Sequence, residues 1–268
     1  MRIKSWQLGL LSLLATILAI FFTLQIQHRA FRSPASTSTI LVAAAASLQK
    51  ALQEITPLYT NANATQPVNY NFAASGALQQ QIERGAPVDV FISAADKQMN
   101  ELKAKELLVA GTYLNLLTNK LVLIVPKQST LKITNFQQLD RSQIQRIAIG
   151  EPRTVPAGQY ATEVFKSLGI FNRVKSKFIL ASNVRAVLTA VETGDVDAGI
   201  VYLTDARSSD KIEIVAIANP KLHAPIKYSI AVLKSSKLPA ASKQYIDFLQ
   251  SKSARAIFIK YGFGVAES

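Results

Sequence analysis

The 268-residue chain has no cysteine, two histidines, one tryptophan and only 17 acidic residues. Without cysteine there is no disulfide framework, no thiolate nucleophile, no cysteine-ligated zinc and no acylated cysteine to act as a lipid anchor. With only His28 and His223, a multi-histidine metal site is excluded too. The acidic shortage stands against 30 Lys and Arg, so the formal net charge is +13 and the expected partner is an anion rather than a cation. Charged residues make up 18% of the chain and hydrophobic ones 49%. That excludes a disordered chain and leaves material for one large or two medium α/β domains.

Residues 8–26 run as LGLLSLLATILAIFFTLQI without a charge, preceded by Arg2 and Lys4 and followed by His28, Arg29 and Arg32. Nineteen apolar-dominated residues exceed a usual signal core and just reach bilayer length, so residues 1–32 read as a signal peptide or an N-terminal membrane anchor. SPAS at 33–36 offers small residues for cleavage, without a clean A-x-A site. Setting the four basic residues of this leader aside, the remainder still carries +9.

From residue 38 the pattern alternates between strands and helices. The small-apolar run 39–46 predicts a strand covered on both faces. Leu48, Ala51, Leu52, Ile55 and Leu58 follow at helical spacing, with Pro57 near the expected stop. Further strands are expected at 68–72, 88–93, 121–125, 146–150, 178–180, 198–202, 212–217 and 228–233. Helices are expected after Ser75, over 96–109, from Val155 to Gly169, from Ser182-Asn183 to near Gly194, and as a pair over 240–261. Strands separated by helices of about a dozen residues predict parallel α/β sheets.

The informative positions are the strand-to-helix junctions at Ser47, Ser75, Pro156-Ala157 and Asn183-Val184. Ligands of open α/β sheets bind at this edge. First-turn N–H groups and the helix dipole together favour an anion there. Tyr202, ending the strand GIVY, adds a hydroxyl. Each residue also has an ordinary reading: serine is a common helix cap, proline a favoured first-turn residue, and tyrosine a packing ring. Only the combination singles them out.

The ordered segments VAAAASL (42–48), NFAASGALQQQI (71–82), GAPVDVFISAAD (85–96), GEPRTVPAG (150–158), NVR (183–185), GIVY (199–202) and FIKYGF (258–263) resemble the molybdate-binding proteins of bacterial ABC transporters. The resemblance implies a two-lobed class II periplasmic-binding-protein fold with a cleft between lobes joined by two crossover segments. It implies lobe I over 38–118 plus 225–268 and lobe II over 119–224. It also implies that Ser47, Ser75, Ala157, Val184 and Tyr202 hold the oxyanion, with no direct metal ligand. The expected partners are molybdate or tungstate and a membrane permease, for a monomeric, non-enzymatic, periplasmic or extracytoplasmic protein without cofactor. Ala74 and Gly76 flank Ser75 where the family often carries more hydroxyls.

Molybdate and tungstate carry no proton at neutral pH and only accept hydrogen bonds, so a purely donating site suits them. Sulfate differs mainly in size, and hydrogen phosphate needs an acceptor as well. Glu151, six residues before Ala157, is the nearby carboxylate whose direction the sequence leaves open. A secreted serine hydrolase is the alternative from another class, but G-x-S-x-G is missing around Ser75 and His223 is the only histidine beyond the leader. A nucleic-acid role is not expected, because the basic residues are scattered and no recognition motif accompanies them.

Overall fold

The computed structural model describes residues 38–62 and 66–266. The leader expected over residues 1–32 lies outside the described residues. The first stretch holds β1 (Ile40–Ala45), a 3-10 turn (Ala46–Leu48), α1 (Gln49–Ala62), β2 (Val68–Ala73), α2 (Ser75–Glu83), β3 (Val90–Ser93), α3 (Asp96–Ala104) and β4 (Leu114–Thr118). The second holds β5 (Leu121–Pro126), β6 (Ile147–Gly150), α4 (Pro156–Ser167), α5 (Phe171–Val174), β7 (Phe178–Ala181), α6 (Val184–Glu192), β8 (Ala198–Tyr202), α7 (Leu203–Ala206) and β9 (Ile212–Ile217). The third holds β10 (Lys227–Val232), α8 (Pro239–Leu249), α9 (Lys252–Lys260) and β11 (Gly264–Val265).

These strands form two sheets, ordered β11-β4-β10-β3-β1-β2 and β7-β6-β8-β5-β9. The chain passes from one to the other through Asn119 and Lys120 and returns through residues 218–226. The Asn119 N–H donates to the Ile226 carbonyl at 3.3 Å, tying the two crossings together. β1 lies between β2 and β3, and its run is buried on both faces apart from Leu41, which explains why Ile40 to Ala45 lacks strand alternation. β5 is buried in the same way between β8 and β9.

The all-parallel expectation is corrected to two mixed sheets. β10 runs antiparallel to β3 and β4, and β5 runs antiparallel to β8 and β9. Those pairs meet because the two crossings reverse the chain's direction, which periodicity does not record. α1 continues past Pro57 to Ala62 and buries Ala51, Leu52, Ile55 and Tyr59 rather than Leu58. The third helix stops at Ala104, short of 109. β4 and the two-residue β11 were not anticipated. Leu114-Asn-Leu-Leu-Thr118 shows no alternation and becomes a strand because β10 pairs with it.

Candidate functional site

Each sheet presents the C-terminal ends of parallel strands toward one place. β1 runs out into Ser47 and β2 into Ser75. In the other sheet β6 leads into the first turn of α4 at Ala157, β7 into Val184 at the start of α6, and β8 ends on Tyr202. All five residues line a single cavity, walled otherwise largely by Ala45, Ala46, Ala73, Ala74, Ala94 and Val155. Small alanine side chains let the backbone itself approach whatever occupies the space.

Neither serine behaves as a cap. Ser47 lies in the 3-10 turn between β1 and α1, and its Oγ is 2.7 Å from the Tyr228 hydroxyl. Ser75 is the first residue of α2, and its Oγ accepts the Ala94 N–H at 3.0 Å. Because that bond uses an acceptor lone pair of Ser75, the hydroxyl proton is available to another group. Asn183 is a true cap: its Oδ1 accepts from Arg185 N at 3.0 Å and Ala186 N at 3.1 Å. The Val155 carbonyl takes the N–H groups of Gly158 and Gln159 in the same way. This leaves the Ala157 and Val184 N–H groups as first-turn donors with no acceptor inside their own helices.

The position of α4 depends on Gly158, where a Cβ would overlap the Gly150 carbonyl at the end of β6. A second close approach spans the cleft. Gly76 N donates to the Thr154 carbonyl at 2.9 Å, and a Cβ on Gly76 would stand 2.7 Å from that oxygen and 2.8 Å from Thr154 Cα. Lys50 Nζ adds a 2.8 Å bond to the Ser208 carbonyl. With these contacts made, the cavity has room for about one water molecule. A sugar or a peptide does not fit a space of that size.

No Lys, Arg, Asp or Glu lines this cavity among the described residues. Glu151 turns away to pair with Arg153 at 3.1 Å, which holds its carboxyl below the usual range. The Tyr202 hydroxyl reaches the Ala94 carbonyl only at 3.5 Å, the limit of a hydrogen bond, so a bound anion would compete with a weak partner. Burial raises the Tyr202 phenol well above its ordinary value, so it stays a neutral donor.

Asp205, three residues on in α7, is 1% exposed. Burial pushes its pKa up to about 7, with the positive charges of Arg185 and Lys50 pulling the other way. An unfolded aspartate titrates near 3.9. Between those values the folded chain keeps a proton that the unfolded chain has lost, so stability falls as pH rises through this window. The wild type is expected to lose a few degrees of melting temperature between pH 5 and pH 8. Asp205→Asn should flatten that slope, which thermal denaturation across the range will check.

His223 is outside this geometry. It sits in the turn after residues 220–222, with Nδ1 2.7 Å from the Ala224 carbonyl and its ring 5.8 Å from that of Tyr160. It does not share the cavity with Ser75, so no serine and histidine pair is assembled there. A larger groove of about 750 Å³ runs past Lys127, Glu192 and Asp210, but none of the five residues lines it. Sequence reasoning missed Tyr228, Asn119 and Thr154. Tyr228 stands 181 residues from the serine it touches, and no local pattern signals such a pair.

Comparison with known proteins agrees with this architecture. Residues 40–264 match the model of the family described as bacterial extracellular solute-binding protein. A Bacillus subtilis chain, provisionally named an ABC transporter substrate-binding lipoprotein, is 40% identical over 84% of this chain and 86% of its own length. The molybdate-binding protein ModA of Haemophilus influenzae is 35% identical over 85% of this chain and 91% of its own. The solved Azotobacter vinelandii periplasmic molybdate-binding protein is 21% identical and superposes with a TM-score of 0.77, covering 85% of this chain and all of that one. The fold is accordingly the two-lobed α/β fold of class II periplasmic binding proteins. The match spans both sheets and every junction that meets at the cavity, and the chain belongs to the bacterial extracellular solute-binding proteins.

Proposed function

We propose that this chain captures molybdate, and tungstate with it, outside the cytoplasm and delivers it to the membrane permease of an ABC transporter. The observation that carries this reading is the cavity itself, small and lined by neutral hydroxyl and amide groups without a charged side chain among the described residues. A dianion that only accepts hydrogen bonds is satisfied there, whereas a cation would meet N–H and O–H dipoles pointing the wrong way. The names of the relatives point to the same ligand.

In this reading Ser47, Ser75, Ala157, Val184 and Tyr202 hold the oxyanion and no residue coordinates the metal directly. About seven donors, each contributing about 1.5–3 kcal/mol to a charged acceptor, give a gross ~10–20 kcal/mol. After desolvation and ordering, a dissociation constant between micromolar and nanomolar follows, about −8 to −12 kcal/mol. Ser47 and Ser75 come from one sheet and the other three from the second, so the anion bridges lobe I (38–118 plus 225–268) and lobe II (119–224) and favours their closure. The closed monomer is what the permease would recognise. Residues 1–32 would export the chain or anchor it. This chain has no cysteine to acylate.

Titration calorimetry of the purified soluble fragment with molybdate, tungstate, sulfate and hydrogen phosphate tests the reading. Tight binding of the first two and weaker binding of the others is expected. Absent binding of the first two, or a stronger response to sulfate or phosphate, would replace molybdate as the ligand.

A further inference from the structure

We propose that Tyr228 and Asn119 are positioning residues that lock the Ser47 hydroxyl as a donor toward the cavity, and thereby select an anion that carries no proton. The inference rests on the oxyanion reading and adds to it the groups that set selectivity.

The argument follows the protons along a chain of bonds. The backbone N–H of Lys120 donates to Asn119 Oδ1 at 2.8 Å, which fixes the orientation of the amide and puts Nδ2 on its other side. Nδ2 carries two protons and accepts none. One goes to Thr204 Oγ1 at 2.9 Å and the other to the Tyr228 hydroxyl at 3.2 Å. The Tyr228 oxygen is therefore an acceptor toward Asn119, and its single proton is directed to its other neighbour, Ser47 Oγ, at 2.7 Å. Ser47 accepts that proton, so its own hydroxyl hydrogen must point elsewhere, and the residue lines the cavity.

Little solvent reaches the members beyond Asn119: Tyr228 is 0% exposed, Thr204 4% and Ser47 7%. Burial also keeps the Tyr228 phenol protonated, raising it well above its ordinary value. The ring is held edge-on by Tyr202 and Phe263, with centroids 5.8 and 5.4 Å away, so Tyr228→Phe preserves the packing and removes only the hydroxyl. The start of the relay lies in the crossing segment. Asn119 touches Tyr228 of one sheet and Thr204 beside the other, so the donor direction is defined where the two halves of the molecule join.

A ligand oxygen bearing hydrogen needs an acceptor; with the Tyr228 proton held on one of its two lone pairs and its own hydrogen released toward the cavity, Ser47 favours a bare oxygen over a protonated one. In Tyr228→Phe both lone pairs of Ser47 are released and its hydroxyl turns freely, so the preference for donating toward the cavity is lost. In Asn119→Asp the relay begins with an acceptor, so Tyr228 turns its proton to the new carboxylate and draws the Ser47 proton back from the cavity.

Calorimetry on the wild type and the two variants, with molybdate and with hydrogen phosphate, tests this. Tyr228→Phe should weaken molybdate about five- to tenfold, the scale of one ordered hydrogen bond, and narrow the ratio of molybdate to phosphate affinity. Asn119→Asp should weaken molybdate further than Tyr228→Phe does. A purely structural role would lower the melting temperature but leave the affinity ratio and this ranking unmoved. Wild-type molybdate binding with both variants unchanged, or an unaltered ratio in Tyr228→Phe, overturns the inference alone. A wild type that binds neither anion overturns the oxyanion reading and this inference with it.

Discussion

Replacing Gly76 with alanine is expected to weaken oxyanion binding by about ten- to a hundredfold, although the residue supplies none of the five proposed ligand-binding groups. Gly76 has no positive φ and is not required by its backbone conformation. It is required by proximity, because a methyl group there would stand 2.7 Å from the Thr154 carbonyl oxygen and 2.8 Å from Thr154 Cα. Both obstacles are backbone, which cannot swing aside as a long side chain could. The two helix starts must separate, and the 2.9 Å bond from Gly76 N to the Thr154 carbonyl goes with them. That separation moves Ser75, the neighbour of Gly76, away from Ala157, three residues past Thr154. The donors that line the cavity then no longer converge. Small-angle scattering should show that the anion fails to compact the variant, and calorimetry should show the lost affinity. Thr154→Ala, which keeps the carbonyl, should bind as the wild type does. If Gly76→Ala binds with native affinity, the close approach has no part in holding the cleft shut.

Ser75→Ala combines two losses. The anion loses a hydroxyl donor, for which a charged acceptor gives about 1.5–3 kcal/mol, or roughly ten- to a hundredfold in affinity. Independently of any ligand, the Ala94 N–H loses the oxygen it donates to at 3.0 Å. Ala94 is 2% exposed and Ser75 0%, so water does not readily replace that acceptor. An unsatisfied buried donor costs about 1–3 kcal/mol, which for a chain of this size is about 2–10 °C in melting temperature. Ser75→Ala should therefore melt lower than the wild type without ligand and also gain less when the anion is added. A drop in affinity with unchanged ligand-free melting would mean that the Ala94 N–H finds another partner. Unchanged affinity would mean that Ser75 serves only to satisfy Ala94.

Much of the candidate site's lining was legible in the chain because its anchor points are local. A strand followed within a few residues by a helix start is a short-range pattern. Ser47, Ser75, Ala157, Val184 and Tyr202 all stand at such junctions. Composition alone removed cysteine and multi-histidine chemistry, and periodicity placed most helices within a few residues. Where these readings erred, distant pairing was responsible. Leu114–Thr118 is a strand because β10 lies beside it, and α1 turns Tyr59 rather than Leu58 inward, where its ring packs edge-on against Tyr245 and Phe248.

The order of residues thus determined which backbone amides and hydroxyls would be left over at strand ends, since helix starts leave donors unpaired wherever they occur. Only the tertiary structure decided that these ends would face one another across one small cavity. It alone fitted Gly76 against Thr154 and placed Tyr228 behind Ser47. Helix starts are dictated over a few residues of chain. Convergence requires two sheets, joined through two crossing segments, to close over distances of more than a hundred residues, and nothing in a local stretch encodes that approach.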